Sequence, residues 1–213
     1  MKRGQGGFGL LEVTLALAIG LIVLAAASQL FVSVHQTWRL QDAGLRLQDD
    51  ARLALLRLAQ DIRMAGMFGC LRLASEDFKD PIARQAFAQP IQLNPSRLDL
   101  IVAELPGYPG APDWTVLTDC KEKAKVGDGH ATSSDYPFAY PISQHSYRFS
   151  DNTLSFKRNN KSKFQPLVDH VREWRVERLG DRVDLALVLY EPTLRLEQRH
   201  ELSVALRNPV SEP

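Results

Sequence analysis

Gly6-Gly7-Phe8-Gly9-Leu10-Leu11-Glu12 opens an apolar run that continues to Val34. Residues 8–34 hold a single charged side chain, Glu12. An α-helix over this run would be about 40 Å long, more than the roughly 30 Å hydrocarbon core of a bilayer. The run therefore predicts a membrane-spanning helix, tilted or extending past the bilayer. A carboxylate within such a span is costly, by insertion scales roughly 2.5–3.5 kcal/mol near the centre and less toward an end. An acid kept in that position calls for a partner.

The stretch resembles the processing site of type IV prepilins and type II secretion pseudopilins. Gly7 stands before the break, Phe8 after it, and Glu12 is the fifth residue of the new chain. In that family a basic leader is cut after Gly, the new amino terminus is N-methylated, and the Glu pairs with it. The resemblance implies a leader over residues 1–7, processing between Gly7 and Phe8, methylation at Phe8, and an assembly charge pair of Phe8 with Glu12. Gly9 stands where Ser or Thr is usual, and Val13 where Leu or Met is usual; neither changes the chemistry. An ordinary secretory signal has a shorter apolar region and a small-residue cleavage site, and it gives Glu12 no role.

The chain has 213 residues with 26 basic and 25 acidic side chains. Taking Lys2 and Arg3 away with the leader leaves 24 basic against 25 acidic. That balance argues against nucleic-acid binding as the main task. Lys2 and Arg3 precede the span, and the next basic side chain except His35 is Arg39. The positive-inside rule then keeps the amino terminus cytoplasmic and sends the rest outward. In an oxidising periplasm the two cysteines, Cys70 and Cys120, fit one disulfide. The alternatives are a metal site or a catalytic thiol, but no CxxC or HxxxH pattern accompanies them.

Beyond Val34 the helical pattern continues. Leu40, Gly44, Leu47, Ala51, Ala54, Leu58, Ile62 and Ala65 recur at steps of three and four. Charged residues lie opposite, with Asp42–Arg46 and Arg57–Asp61 spaced to pair across a solvated face. Gly66 and Gly69 supply the stop, so residues 8–65 read as one helix. Residues 60–70, QDIRMAGMFGC, resemble the corresponding stretch of the PilW-type minor pilins. The resemblance covers the first 70 residues; beyond them it extends to organisation only.

Residues 71–95 read as loosely ordered, broken by Pro81, Pro90 and Pro95. Residues 97–104 and 114–118 read as strands, and the Pro/Gly-rich residues 106–112 and polar residues 121–135 as loops. Residues 147–149 and 154–156 flank Asp151-Asn152 as a hairpin. Residues 158–163 form a basic turn, a cluster of that kind being most often solvated. Leu167, Val168 and Val171 suggest a helical turn, and residues 174–179 a strand. Alternation is clearest in residues 183–189 and 194–206. His200 falls on the apolar side of the last strand, where a core histidine with its hydrogen bonds satisfied is the expected reading.

The expected fold is α+β and pilin-like: a long amino-terminal helix packed on a mainly antiparallel β-sheet domain. The expected segments are a leader (1–7), a membrane or filament-core helix (8–34), an amphipathic helix (35–66) and a periplasmic β-rich domain (67–213). No metal-ligand spacing, nucleophile elbow, phosphate loop or dinucleotide fingerprint is present, so no cofactor, no metal and no catalytic residue are expected. The resemblance implies a non-enzymatic minor pilin that starts or caps a type IV pilus. A GspJ-like minor pseudopilin of type II secretion is the alternative. The implied partners are other minor pilins, the major pilin, the prepilin peptidase/N-methyltransferase and the inner-membrane assembly platform.

Overall fold

The computed structural model describes residues 9–105 and 110–208. Gly7 and Phe8, and most of the expected loop at 106–112, lie outside the described residues. Contacts divide the chain into two compact units, Met1–Arg46 and Leu47–Pro213.

Helix α1 spans Leu10–Met64. In the first unit its apolar side chains are solvent-facing, Leu10, Leu11, Ile22 and Phe31 each more than two-thirds exposed. The most apolar window of α1 has none of its residues buried. Its length and composition suit a membrane crossing. Arg46 and Asp42 form the expected i,i+4 pair at 2.8 Å.

In the second unit the described residues fold into ten strands, all paired antiparallel. They are β1 (Ile91–Asn94), β2 (Arg97–Ala103), β3 (Trp114–Thr118), β4 (Ala124–Asp128), β5 (Phe138–Ser150), β6 (Thr153–Lys157), β7 (Gln165–Val168), β8 (Val171–Leu179), β9 (Arg182–Glu191) and β10 (Leu196–Ala205). The first seven make one sheet, ordered β1-β2-β5-β3-β4 with β6 on β5 and β7 on β6. The last three make a second sheet, β10-β9-β8. Strand β5 organises the larger sheet. One edge pairs with β2; the other pairs with β3 through its first residues and β6 through its last.

Residues 47–64 of the helix, with Ala65 just beyond its end, supply the core stripe expected from the sequence: Leu47, Ala51, Ala54, Leu58, Ile62 and Ala65 are all buried. Leu55, Ala59 and Asp61 are buried as well, so the covered arc is wider than one stripe. The reason is that both sheets contribute to the same core. Leu98, Leu100 and Tyr147 come from the larger, and Val183, Leu185, Leu187, Leu189 and Val204 from the smaller. Burial begins at Leu47, whereas the sequence began the amphipathic segment at residue 35.

Three expectations change in the middle of the chain. Residues 81–88 and 91–94 are not loose: Pro81–Ala88 is a second helix, α2, and Ile91–Asn94 is the edge strand β1. The Asp80 carboxylate caps it by accepting the amides of Ile82 and Ala83 at 3.0 and 3.3 Å, and Pro81 at the first position has no amide to lose. Helix α2 lays Ala83 and Phe87 on the outer face of the larger sheet. There Phe87 meets Trp114 edge-on at 5.6 Å and Phe68 at 4.3 Å. This second cover explains why β2 is buried on both faces. Residues 124–128 form a strand where the sequence read a loop. Leu167 and Val168 lie in β7 and Val171 opens β8, where a helical turn was read. The hairpin at Asp151-Asn152 forms as expected, both residues at positive φ (51° and 59°).

Candidate functional site

The carboxylate of Glu12 sits in the first turn of α1. Gly9 is the capping residue: its carbonyl accepts the amides of Glu12 (3.0 Å) and Val13 (3.3 Å). Glu12 Oε2 in return accepts the Gly9 amide at 3.0 Å. This is the acidic half of a capping box, and Gly9 has no hydroxyl for the other half. The negative charge also faces the positive end of the helix dipole. From Glu12 a shallow, open apolar groove runs along the helix past Val13, Ala16, Leu17, Gly20, Leu21 and Leu24. A Cβ built on Gly20 meets no atom within 4 Å, so the notch is open in the single subunit. The arrangement is one anionic group at the head of an apolar surface that water would not tolerate uncovered. The expected partners in processing and pairing, Gly7 and Phe8, lie outside the described residues.

Cys70 and Cys120 are joined by a disulfide, with their Cα atoms 5.4 Å apart. Cys70 lies six residues after the end of α1, and Cys120 two residues after β3. The bridge therefore ties the segment leaving the helix to the larger sheet. Beside it the Asp119 carboxylate accepts the amides of Lys121, Glu122 and Lys123 at 2.9–3.0 Å. The Lys123 and Lys121 amides, which stabilise the anion, lower the Asp119 pKa to about 2.

The sequence placed Asp61 on a solvated face, paired with Arg57. The structure corrects this. Asp61 is 7% exposed and points at β5. Its Oδ2 accepts the hydroxyl of Tyr147 at 2.5 Å and lies 2.7 Å from Nδ1 of His145. The Arg57 guanidinium lies over the Phe156 ring, 3.9 Å from its centre. Burial and the Asp61 charge raise the Tyr147 phenol well above its usual range. One carboxylate thus fastens the last turns of α1 to the sheet. His200 also departs from expectation: it is half-buried, and its Nε2 has no hydrogen-bond partner among the described residues. Among the described residues no three His, Cys, Asp or Glu side chains converge as metal ligands.

The model of the prokaryotic N-terminal methylation motif matches residues 2–28. No curated protein and no solved structure matches the chain. The matched residues hold Lys2 and Arg3, Gly7-Phe8, Glu12 and most of the apolar run. They imply processing by a prepilin peptidase and anchoring in the inner membrane. The chain thus carries a prepilin-type methylation motif on a pilin-like α+β fold, which supports a protein of the type IV pilin or pseudopilin kind.

Proposed function

We propose that this chain is a minor pilin of the PilW type that helps to start or cap a type IV pilus. It is cut after Gly7, methylated at Phe8 and held in the inner membrane with its β-rich domain in the periplasm. It is a substrate of the peptidase–methylase and not itself an enzyme. The observation that carries the reading is Glu12: a lone carboxylate in the first turn of an exposed apolar helix, beside the terminus that cleavage would create. The new ammonium at Phe8 and the Glu12 carboxylate would be buried together when helices of neighbouring subunits close over the groove. Removing one member of a buried pair leaves the other uncompensated, at a cost of about 3–5 kcal/mol. The stretch at residues 60–70 supports the pilus over secretion.

Glu12→Ala tests this in a strain lacking the wild-type copy. The variant should insert and be cut, because the junction is intact and the span more apolar. It should then fail to co-purify with the other minor pilins and reduce surface fibres. Glu12→Asp, with a shorter reach, should be intermediate. Normal co-purification and normal fibres with Glu12→Ala would refute the pairing.

A further inference from the structure

We propose that the turn between β6 and β7, with the strand face beside it, is a docking surface for an acidic segment of a partner protein. Two cations lie over one ring, and two more stand in the turn that leads to it. The Arg148 guanidinium carbon lies 4.1 Å and Lys157 Nζ 5.5 Å from the centre of the half-buried Phe164 ring. Lys163 precedes the ring in sequence, and Lys161 lies two residues further back in the turn. Arg148, Lys161 and Lys163 are exposed.

Among the described residues none of the four makes an ion pair, and the nearby acids are engaged elsewhere. Glu104 holds Arg158, with Nε 2.8 Å from Oε1. Asp113 accepts the amides of Gln144 and Asn160 at 2.9 and 3.0 Å. Asp99 takes the Arg97 guanidinium. The smaller sheet is different: there Arg172 meets Glu197, Arg182 meets Asp184 and Arg199 meets Glu201. Four cations without an acidic partner therefore share this turn and the strand face beside it, in a chain that is close to neutral after leader removal.

The turn is also held in shape. Asn159 Oδ1 accepts the Ser162 amide at 2.7 Å, and Asn159 Nδ2 donates to the Ala111 carbonyl at 3.2 Å. Asp113 fills the gap along β5 between β3 and β6, and holds Asn160 from below. A turn whose backbone is already fixed loses less freedom when a partner docks. Charge complementarity selects an acidic partner. A protein segment fits better than nucleic acid. Four cations give only a shallow phosphate footprint, and a long polyanion would meet Asp151 and Asp169 at the other end of the same strands. The inference takes from the proposed assembly role only that protein partners exist.

The test uses the full chain in uncharged detergent micelles and a fluorescent poly-glutamate peptide of about twelve residues. Binding should be saturable and should disappear at about 0.5 M salt. Replacing Arg148, Lys157, Lys161 and Lys163 together by Gln should weaken it about tenfold or more. A charge-matched control, Arg72→Gln, Arg84→Gln, Lys121→Gln and Lys123→Gln, should stay within about twofold of wild type. Lys161→Gln and Lys163→Gln, singly, should each weaken binding about twofold, and they carry the test should the fourfold variant unfold. Equal losses in the two fourfold variants, or none, would overturn the proposal. So would duplex DNA held through the same four residues at about 0.15 M salt while the peptide is not. The peptide readout is independent of the Glu12 experiment, so the two readings fail separately.

Discussion

Asp61→Ala should be among the most damaging single changes in the β-rich unit. The carboxylate is buried, and its Oδ2 faces two buried groups, the Tyr147 hydroxyl and the His145 ring nitrogen. Truncation leaves both without that acceptor. Each unsatisfied buried donor costs about 1–3 kcal/mol, and alanine's better helix propensity returns about 0.5 kcal/mol. The net expected loss is about 2–5 kcal/mol, a large part of the roughly 5–15 kcal/mol that holds a domain together. Tyr147→Phe removes one donor and leaves the His145 contact, so it should cost less, about 1–2 kcal/mol. Because the two residues touch, the double variant should be less destabilised than the sum, with a coupling of about 0.5–3 kcal/mol. Denaturant unfolding of the detergent-solubilised chain, followed by tryptophan fluorescence, measures all three. The Tyr147 pKa is raised in the folded state, so its contribution is fully present below pH about 10 and is lost as pH rises toward the folded value. Wild type should lose stability in alkali more steeply than Tyr147→Phe. An Asp61→Ala change within about 0.5 kcal/mol of wild type would refute the reasoning.

The disulfide gives a second expectation. Its partners are 50 residues apart, and Cys70→Ala or Cys120→Ala should cost about 2–5 kcal/mol in the same unfolding assay; an unchanged midpoint would count against it. A third concerns Asp119, whose pKa is lowered in the folded state. Its stabilising contribution is fully present above the ordinary carboxylate range and is lost progressively as pH falls from about 4 through about 2. Carbon-detected NMR should find this carboxyl titrating near 2, and an ordinary midpoint near 4 would contradict the amide cage.

What could be read from the sequence divides along physical lines. The helix showed because its apolar residues keep step with its turn, and the last strands because they alternate strictly. Asp61 was misplaced because a stripe running 54, 58, 61, 65 keeps helical spacing as well as one running 54, 58, 62, 65. Only the second sheet, packed beside the first, widens the buried arc enough to cover both residues. The first half of β5 was invisible because its inward residues include Ser143 and His145, which break the apolar alternation although both are buried. Strand β4 offers only Val126 to the core. Helix α2 was hidden by reading Pro81 as a breaker; Asp80 before it was the available signal. The amino-terminal methylation motif was legible because its signal is local: Gly7-Phe8, an acid four residues on, and an uninterrupted apolar run. The docking turn showed as a basic cluster, but that its cations lack acidic partners could only be seen once Glu104, Asp99 and Asp113 were placed.

The most direct test of the account is the mass of the mature protein's amino-terminal peptide, taken from a cell that carries a prepilin peptidase. Cleavage between Gly7 and Phe8 predicts a chain beginning at N-methylated Phe8, with a bulky residue at position 7 leaving the leader in place. A mature protein that still begins at Met1 would contradict it.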